Sequence, residues 1–242
     1  MTKEEFILEC RNAFELNSLS CSEEEAKKLF LLTERMLEVN KSLNLTAIKD
    51  EKSIILKHYV DSVTISSHIP EGSRLMDVGC GAGFPTLPLA IFRPDLNITA
   101  LDGTAKRIKY VDETAKMLGL SNVTAISARA EELANNVEYR ECFDIVTARA
   151  VASLPVLCEL CLPFVKIGGA MIAMKSQQAD DELTAAKSCI TLCGGEIEEV
   201  VSCDLRSQEL ECESRKLIFI RKAKKTPPLY PRHYSKISKK PL

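Results

Sequence analysis

Three glycines at alternate positions, Gly79, Gly81 and Gly83, follow an acid, Asp77, and together they are the chain's densest grouping of residues able to do chemistry. A residue without a Cβ reaches positive φ at no steric cost and lets a ligand lie against bare backbone, so three in five positions describe a cradle. A second acid, Asp102, falls about twenty residues past the loop, where a carboxylate can accept from ribose hydroxyls. Such a cradle can serve a dinucleotide, a phosphate or an adenosine sulfonium. The dinucleotide fingerprint wants its third glycine three places after the second, where this chain has Phe84, and no Gly-Lys-Ser/Thr follows for a mononucleotide loop.

The elements that must position these residues can be read around them. Arg74 to Val78 is a short apolar run carrying one acid and bounded upstream by Pro70, Gly72 and Ser73, the pattern of a buried parallel strand. Phe84 closes the loop, and Pro85 can occupy the first turn of a helix continued by Leu87, Leu89, Ala90 and Ile91. The unit is strand, glycine loop, helix, and D-x-G-x-G-x-G looks like the cofactor loop of class I S-adenosylmethionine methyltransferases. A plain glycine turn and a divergent nicotinamide site are the alternatives that the loop alone leaves open.

Downstream the pattern alternates. Strands are expected at 97–102, 122–128, 143–149 and 170–175, with helices at 104–118, 154–165 and 179–193 and a Gly168-Gly169 turn before the fifth strand. Strands at 196–203 and 215–221 should close the sheet as an antiparallel pair. This is an α/β chain whose parallel sheet carries helices on both faces, with ligands at the carboxyl ends of the strands. Asp77, Asp102, Arg129 to Glu131, Arg149 and Lys175 all follow their strands directly. Residues 1–69 read as a helical lobe packed on the 70–222 core, with capping boxes at Thr2/Glu5 and Ser22/Glu25 and a third helix over 51–68. The connector Asn40 to Ile48, whose Asn, Lys and Thr side chains are donors and acceptors, reads as a polar loop or, less simply, a functional one. His58 and Asp61, three apart on one helix face, read as a helix-surface hydrogen bond or, less simply, a catalytic pair.

Composition bounds the function classes. At 242 residues, 45% hydrophobic and 27% charged, the chain has the makeup of a soluble globular protein. It is long enough to bury roughly 70–75% of its unfolded surface. No apolar run approaches a membrane span, and Glu4, Glu5 and Glu9 interrupt any signal-peptide core at the N-terminus, so a cytoplasmic protein is expected. The ten cysteines then read as reduced thiols. Cys158, Cys161, Cys189 and Cys193 have spacing that invites a zinc reading, but the first two sit in an apolar helix and no metal is expected. The formal net charge of −2 hides an asymmetry: from Arg215 onward there are ten Lys or Arg and no Asp or Glu, leaving a formal −12 on residues 1–214. The strip 223–242 adds two tyrosines and four prolines, a basic tail suited to a polyanion.

With NKSLNLTAI, HYVDS, DVGCGAGFP, LDGTAKRIKYV, ARAEE, FDIVTARAVA and TPPLYPRHY in view, the chain resembles the RsmG (GidB) family from about Asn40 onward. Thr86, Ser176, His233 and Ser235 depart from the family pattern. The resemblance implies a Rossmann-like class I methyltransferase with a seven-stranded sheet and an N-terminal helical extension. It also implies transfer of a methyl group from S-adenosylmethionine to N7 of a guanine at position 527, in the 530 loop of 16S ribosomal RNA. The partner would be that RNA or the small ribosomal subunit, met by a monomer without metal. It places Asp77, Gly79, Gly81, Gly83, Phe84, Asp102, Ala130, Glu131 and Arg149 around the cofactor. Lys175, Lys224, Lys225, Tyr230, Arg232 and Lys236 are the candidates for the RNA grip. Two rivals stand beside this reading: a methyltransferase acting on protein or a small molecule, and a non-catalytic nucleic-acid-binding protein on the same fold.

Overall fold

The computed structural model describes residues 1–177 and 179–242. Seven strands form one sheet in the order β3-β2-β1-β4-β5-β7-β6: β1 (Arg74–Val78), β2 (Asn97–Asp102), β3 (Val123–Ser127), β4 (Phe143–Arg149), β5 (Val165–Ser176), β6 (Gly195–Leu205) and β7 (Glu213–Lys222). The first five run parallel, and β7 inserts antiparallel between β5 and β6. The order reverses at β1 and β4, which opens a crevice above their carboxyl ends.

Among the described residues ten α-helical segments surround the sheet: α1 (Lys3–Leu16), α2 (Glu23–Leu43), α3 (Glu51–Ile54), α4 (Asp61–Val63), α5 (Thr86–Phe92), α6 (Ala105–Met117), α7 (Ala130–Leu133), α8 (Leu154–Cys161), α9 (Ala179–Leu192) and α10 (Tyr234–Lys239). Alternation along each strand sends side chains to opposite faces, and two apolar clusters result. Leu75, Ile98, Ile145 and Ile172 join α1, α2, α5 and α6 on one face, while Met76, Leu101, Val146 and Met171 join α8 and α9 on the other. The N-terminal helices have no core of their own. Phe6, Cys10 and Phe14 of α1 and Leu29, Leu32 and Met36 of α2 are fully buried in the first cluster. Both expected capping boxes form, with Thr2 and Ser22 each accepting from the backbone N–H three residues on.

Two departures from the sequence pattern have physical causes. The helix expected over 51–68 is broken into α3, a π-helical segment at Ile55–Val60, α4 and a 3₁₀ turn at Ser66–His68. A π turn widens the helix by one residue, and such turns recur at functional sites. Gly168 and Gly169 lie within β5 instead of ahead of it. A Cβ on Gly169 would come within 2.4 Å of the Asp144 carbonyl oxygen, so the glycine allows close strand approach.

The basic tail is built into the fold. Glu159 of α8 is fully buried, and Arg232 covers it, donating from its backbone N–H and Nε to Oε1 (2.9 and 2.8 Å) and from Nη2 to Oε2 (2.7 Å). Arg140 donates through Nη2 to the carbonyls of Thr226, Pro227 and Tyr230 at 2.9 to 3.2 Å. Lys222, also fully buried, donates to the Leu162 carbonyl at 2.6 Å and to the Thr226 hydroxyl. Arg232→Ala strands the Glu159 carboxylate without its cation and should cost ~3–5 kcal/mol, read as a shift of the urea midpoint. Adding Glu159→Met to that variant should restore most of the loss.

Candidate active site

The glycine loop takes the shape its spacing implies. Gly79, Gly81 and Gly83 have φ of 77°, 56° and 86°, and the Gly79 and Cys80 N–H groups donate back to the Leu101 carbonyl at 2.7 and 3.0 Å. The three glycines do different things. A Cβ on Gly79 would strike Val151 at 2.5 Å and one on Gly83 would strike Leu87 at 2.6 Å, whereas at Gly81 the nearest atom is the Gly79 oxygen at 3.9 Å. Gly81 alone faces open space. Asp102 fixes the loop from the next strand, its Oδ2 accepting from the Gly81 N–H at 3.1 Å and its Oδ1 from the Thr104 N–H at 2.8 Å.

Two adjoining cavities share Gly79, Asp102, Arg107 and Val151 and make one cleft. The first, about 210 Å³, runs past Gly103, Ala130 and Glu131 to Leu160 and Tyr234. The second, about 320 Å³, lies between Gly79–Ala82, Phe84, Arg149 and Ala150 on one side and Leu45, Thr46 and His58 of the N-terminal lobe on the other. Gly79, Gly81, Phe84, Asp102, Ala130, Glu131 and Arg149 therefore converge as the sequence suggests. Gly83 does not reach the cleft and serves the packing of the loop on α5.

Asp77 is a correction. It stands opposite Ala100 in the sheet, two residues below the level of Asp102, and a rise of ~3.3 Å per residue puts it well beneath the rim. Its side chain is fully buried, and Oδ2 accepts from the Thr86 hydroxyl at 2.7 Å while Oδ1 has no partner. Burial pushes its carboxyl up to about 6. It supports the start of α5 from below, where the Thr86 hydroxyl is its donor.

The proposed RNA residues divide. Tyr230 is packed in the second apolar cluster and Arg232 is committed to Glu159. Lys175 Nζ lies 2.7 Å from Glu182 and donates to the Ala152 carbonyl at 2.9 Å, so all three side chains are engaged inside the molecule. Lys224, Lys225 and Lys236 stay exposed. The four cysteines with metal-like spacing are buried, Cys189 donating to the Pro155 carbonyl, and among the described residues no three His, Cys, Asp or Glu side chains converge as a ligand set.

His58 and Asp61 do not pair with each other. Asp61, 4% exposed, takes Arg149 Nη1 at 2.8 Å and Arg215 Nε at 3.2 Å. The His58 ring stacks on Phe84 at 4.5 Å and lies between Thr46 Oγ1, 2.9 Å from Nε2, and Arg149 Nη2, 3.4 Å from Nδ1. Arginine has only donors, so Nδ1 is the bare nitrogen and Nε2 carries the proton toward Thr46. Burial, and then the Arg149 charge, push His58 down to about 3.

Sequence reasoning missed Leu45, Thr46, Arg107 and Tyr234. Thr46 had a signal in Asn40, six residues earlier. Asn40 Oδ1 accepts from the Leu45 and Thr46 N–H groups at 2.6 and 3.0 Å, and its Nδ2 donates to the Thr46 carbonyl at 2.9 Å, turning a polar connector into a fixed wall. Gly81→Arg should leave the fold intact apart from ~1–2 kcal/mol for a side chain at positive φ, while filling the cleft. Calorimetry should detect no binding of an adenosyl ligand.

The profile of GidB, rRNA small subunit methyltransferase G, matches residues 25–212. The Ribosomal RNA small subunit methyltransferase G of Lactobacillus johnsonii is 43% identical over 233 residues, 95% of this chain and 94% of that one. Its counterpart in Acetivibrio thermocellus is 41% identical over 237 residues, 98% and 95% of the two chains. Among solved structures, the fold is similar to M. jannaschii TYW2 in complex with AdoMet, with TM-score 0.55 and 16% identity over 73% of this chain and 79% of that one. It is also similar to a precorrin-6y C5,15-methyltransferase from Geobacter metallireducens, with TM-score 0.51 and 18% identity over 76% and 92%. With the profile spanning most of its length and relatives at two-fifths identity spanning nearly all of it, the chain belongs to the GidB family of rRNA small subunit methyltransferase G proteins.

Proposed function

We propose that the chain methylates N7 of a guanine in the 530 loop of 16S ribosomal RNA, at position 527, as a monomer without metal. S-adenosylmethionine is the methyl donor and supplies a methyl group already activated on a sulfonium. The residues present fit it: Gly81 leaves the loop bare, Asp102 at the rim would accept from a ribose hydroxyl, and Glu131, 7% exposed, would accept from an adenine amino group.

The observation that carries the choice of nucleophile is the state of the protonatable groups at the target end. His58 is held neutral near 3 with its proton directed to Thr46, and Asp61 is covered by two guanidiniums. Cys80, which lines the same cavity, is 2% exposed, and burial, helped by Asp77 and Asp102, pushes its thiol well above the ordinary range. Neither His58 nor Asp61 is thus a poised base, and Cys80 is not a thiolate. Guanine N7 needs neither, because its in-plane lone pair carries no proton and the ring becomes cationic as the methyl arrives. A neutral His58 spares that ring an extra like charge. The protein's part is alignment, which can supply up to ~7–11 kcal/mol. Phe84 and Arg149, with its Cζ 5.4 Å from the Phe84 ring centroid, give the target a firm wall. Of the exposed tail lysines, Lys236 lies two residues past Tyr234 of the cleft and is the cation offered to RNA there, whereas Lys224 and Lys225 follow the end of β7 that pairs with Ala170, at the edge of the sheet away from the cleft.

Methyl mapping in ribosomal RNA tests this assignment. Cells lacking the gene should lose one N7-methylguanine from the 530 loop and regain it with the wild-type chain but not with Gly81→Arg. A methyl group at another atom, or one recovered in protein, overturns the reading. Single-turnover rates in EDTA-containing buffer should vary less than about threefold between pH 6 and 9, because His58 titrates far below that window. A slope of one log unit per pH unit would reveal a required base.

A further inference from the structure

One wall of the adenosine half of the cleft does not come from the sheet and its crossover segments. It is Tyr234, the first residue of α10, 41% exposed and facing the cavity that also holds Asp102, Ala130, Glu131 and Leu160. The tail that brings it there is tied at Lys222, at the three carbonyls held by Arg140, and at the buried Arg232–Glu159 pair two residues before the ring. On the other side Ile237, one turn further along α10, is fully buried in the cluster under α8. His233 caps the helix through its Nδ1, 3.3 Å from the Ser235 N–H. The ring is thus fixed at its base from both directions while its surface stays open. The family profile ends at residue 212, so this wall lies outside the segment that the profile describes.

We propose that Tyr234 is a cofactor-binding residue whose ring covers the adenine of S-adenosylmethionine, making residues 223–242 a strap over the cofactor. An aromatic face beside a carboxylate, Glu131, is a combination suited to a purine with an exocyclic amine: the ring takes the π-face and the carboxylate takes the amino group. A half-exposed tyrosine that becomes covered on binding also has something to gain from the ligand that a fully packed one, such as Tyr230, does not. The proposal needs the cofactor only and is independent of which RNA atom is methylated.

Calorimetry on the full chain with S-adenosylhomocysteine, in the absence of RNA, tests it. Tyr234→Ala and Tyr234→Leu should weaken binding by roughly 5- to 150-fold, the loss expected for one base–aromatic stack, while Tyr234→Phe should stay within about twofold of wild type. The chain has no Trp and five Tyr, so its emission is tyrosine's own. S-adenosylhomocysteine should quench it in wild type and quench it less in Tyr234→Phe, a readout that a purely structural role of the tail would not move. Thermal unfolding without ligand checks that each variant is folded, and Tyr234→Phe carries the quench test if the others are not. Unchanged affinity in folded Tyr234→Ala and Tyr234→Leu, or an unchanged quench in Tyr234→Phe, overturns the proposal. A wild-type chain that does not bind the probe at all removes the cofactor assignment itself, and the proposal falls with it.

Discussion

The cleft exists because Asp61 is held by two arginines. The carboxylate belongs to the helical lobe, Arg149 ends β4 and Arg215 lies in β7, so one buried group joins three parts of the chain that meet nowhere else in sequence. Arg149 Nη1 also donates to the Lys57 carbonyl at 2.9 Å within the π segment, and Lys57 pairs with Glu213. Burying such charges is costly in itself, and the cost is offset only while each keeps its partners and geometry. The cluster is therefore better understood as a device for position than for stability. It sets the distance between the lobe's wall at Thr46 and His58 and the rim at Phe84 and Arg149.

From that fixed distance the electrostatics follow. The Arg149 guanidinium, held by Asp61, sits beside His58, and its charge adds to burial in keeping the imidazole neutral. Beneath the loop, burial raises the Asp77 carboxyl to about 6, while Asp102 at the rim keeps two backbone donors and a loose approach from Arg107 at 3.8 Å. The two acids have the same residue type and similar sequence settings, but depth gives them different work. One supports α5, and the other faces the cleft.

Much of this was legible in the chain. Apolar runs and their glycine and proline boundaries recover the seven strands, the pairing of the last two and the caps of both long helices, because those features are local. The glycine loop was legible as a cradle, though not the division of labour within it, since whether a missing Cβ faces a ligand or Leu87 depends on packing. Depth also escapes the sequence: Asp77 ends an apolar run as Asp102 does, and only sheet register sets it two residues lower. The tail was legible as basic, and charge counting suited it to a polyanion. Its partners, Glu159 and Glu141, lie about seventy to ninety residues upstream. The π turn at Ile55–Val60 leaves no mark in composition, although it places the Lys57 carbonyl where Arg149 needs an acceptor.

The position of β7 has a consequence for how the molecule comes into being. On a translating ribosome β6 emerges before β7, yet β6 touches the sheet only through β7, which must slide in beside β5. Until then β5 presents an unpaired edge, β6 has nowhere to dock, and Arg215 has not yet reached Asp61. The nascent chain thus carries a half-finished sheet with an open border, the kind of edge that invites mispairing. Assembly of the pocket thus waits on the last strand of the sheet.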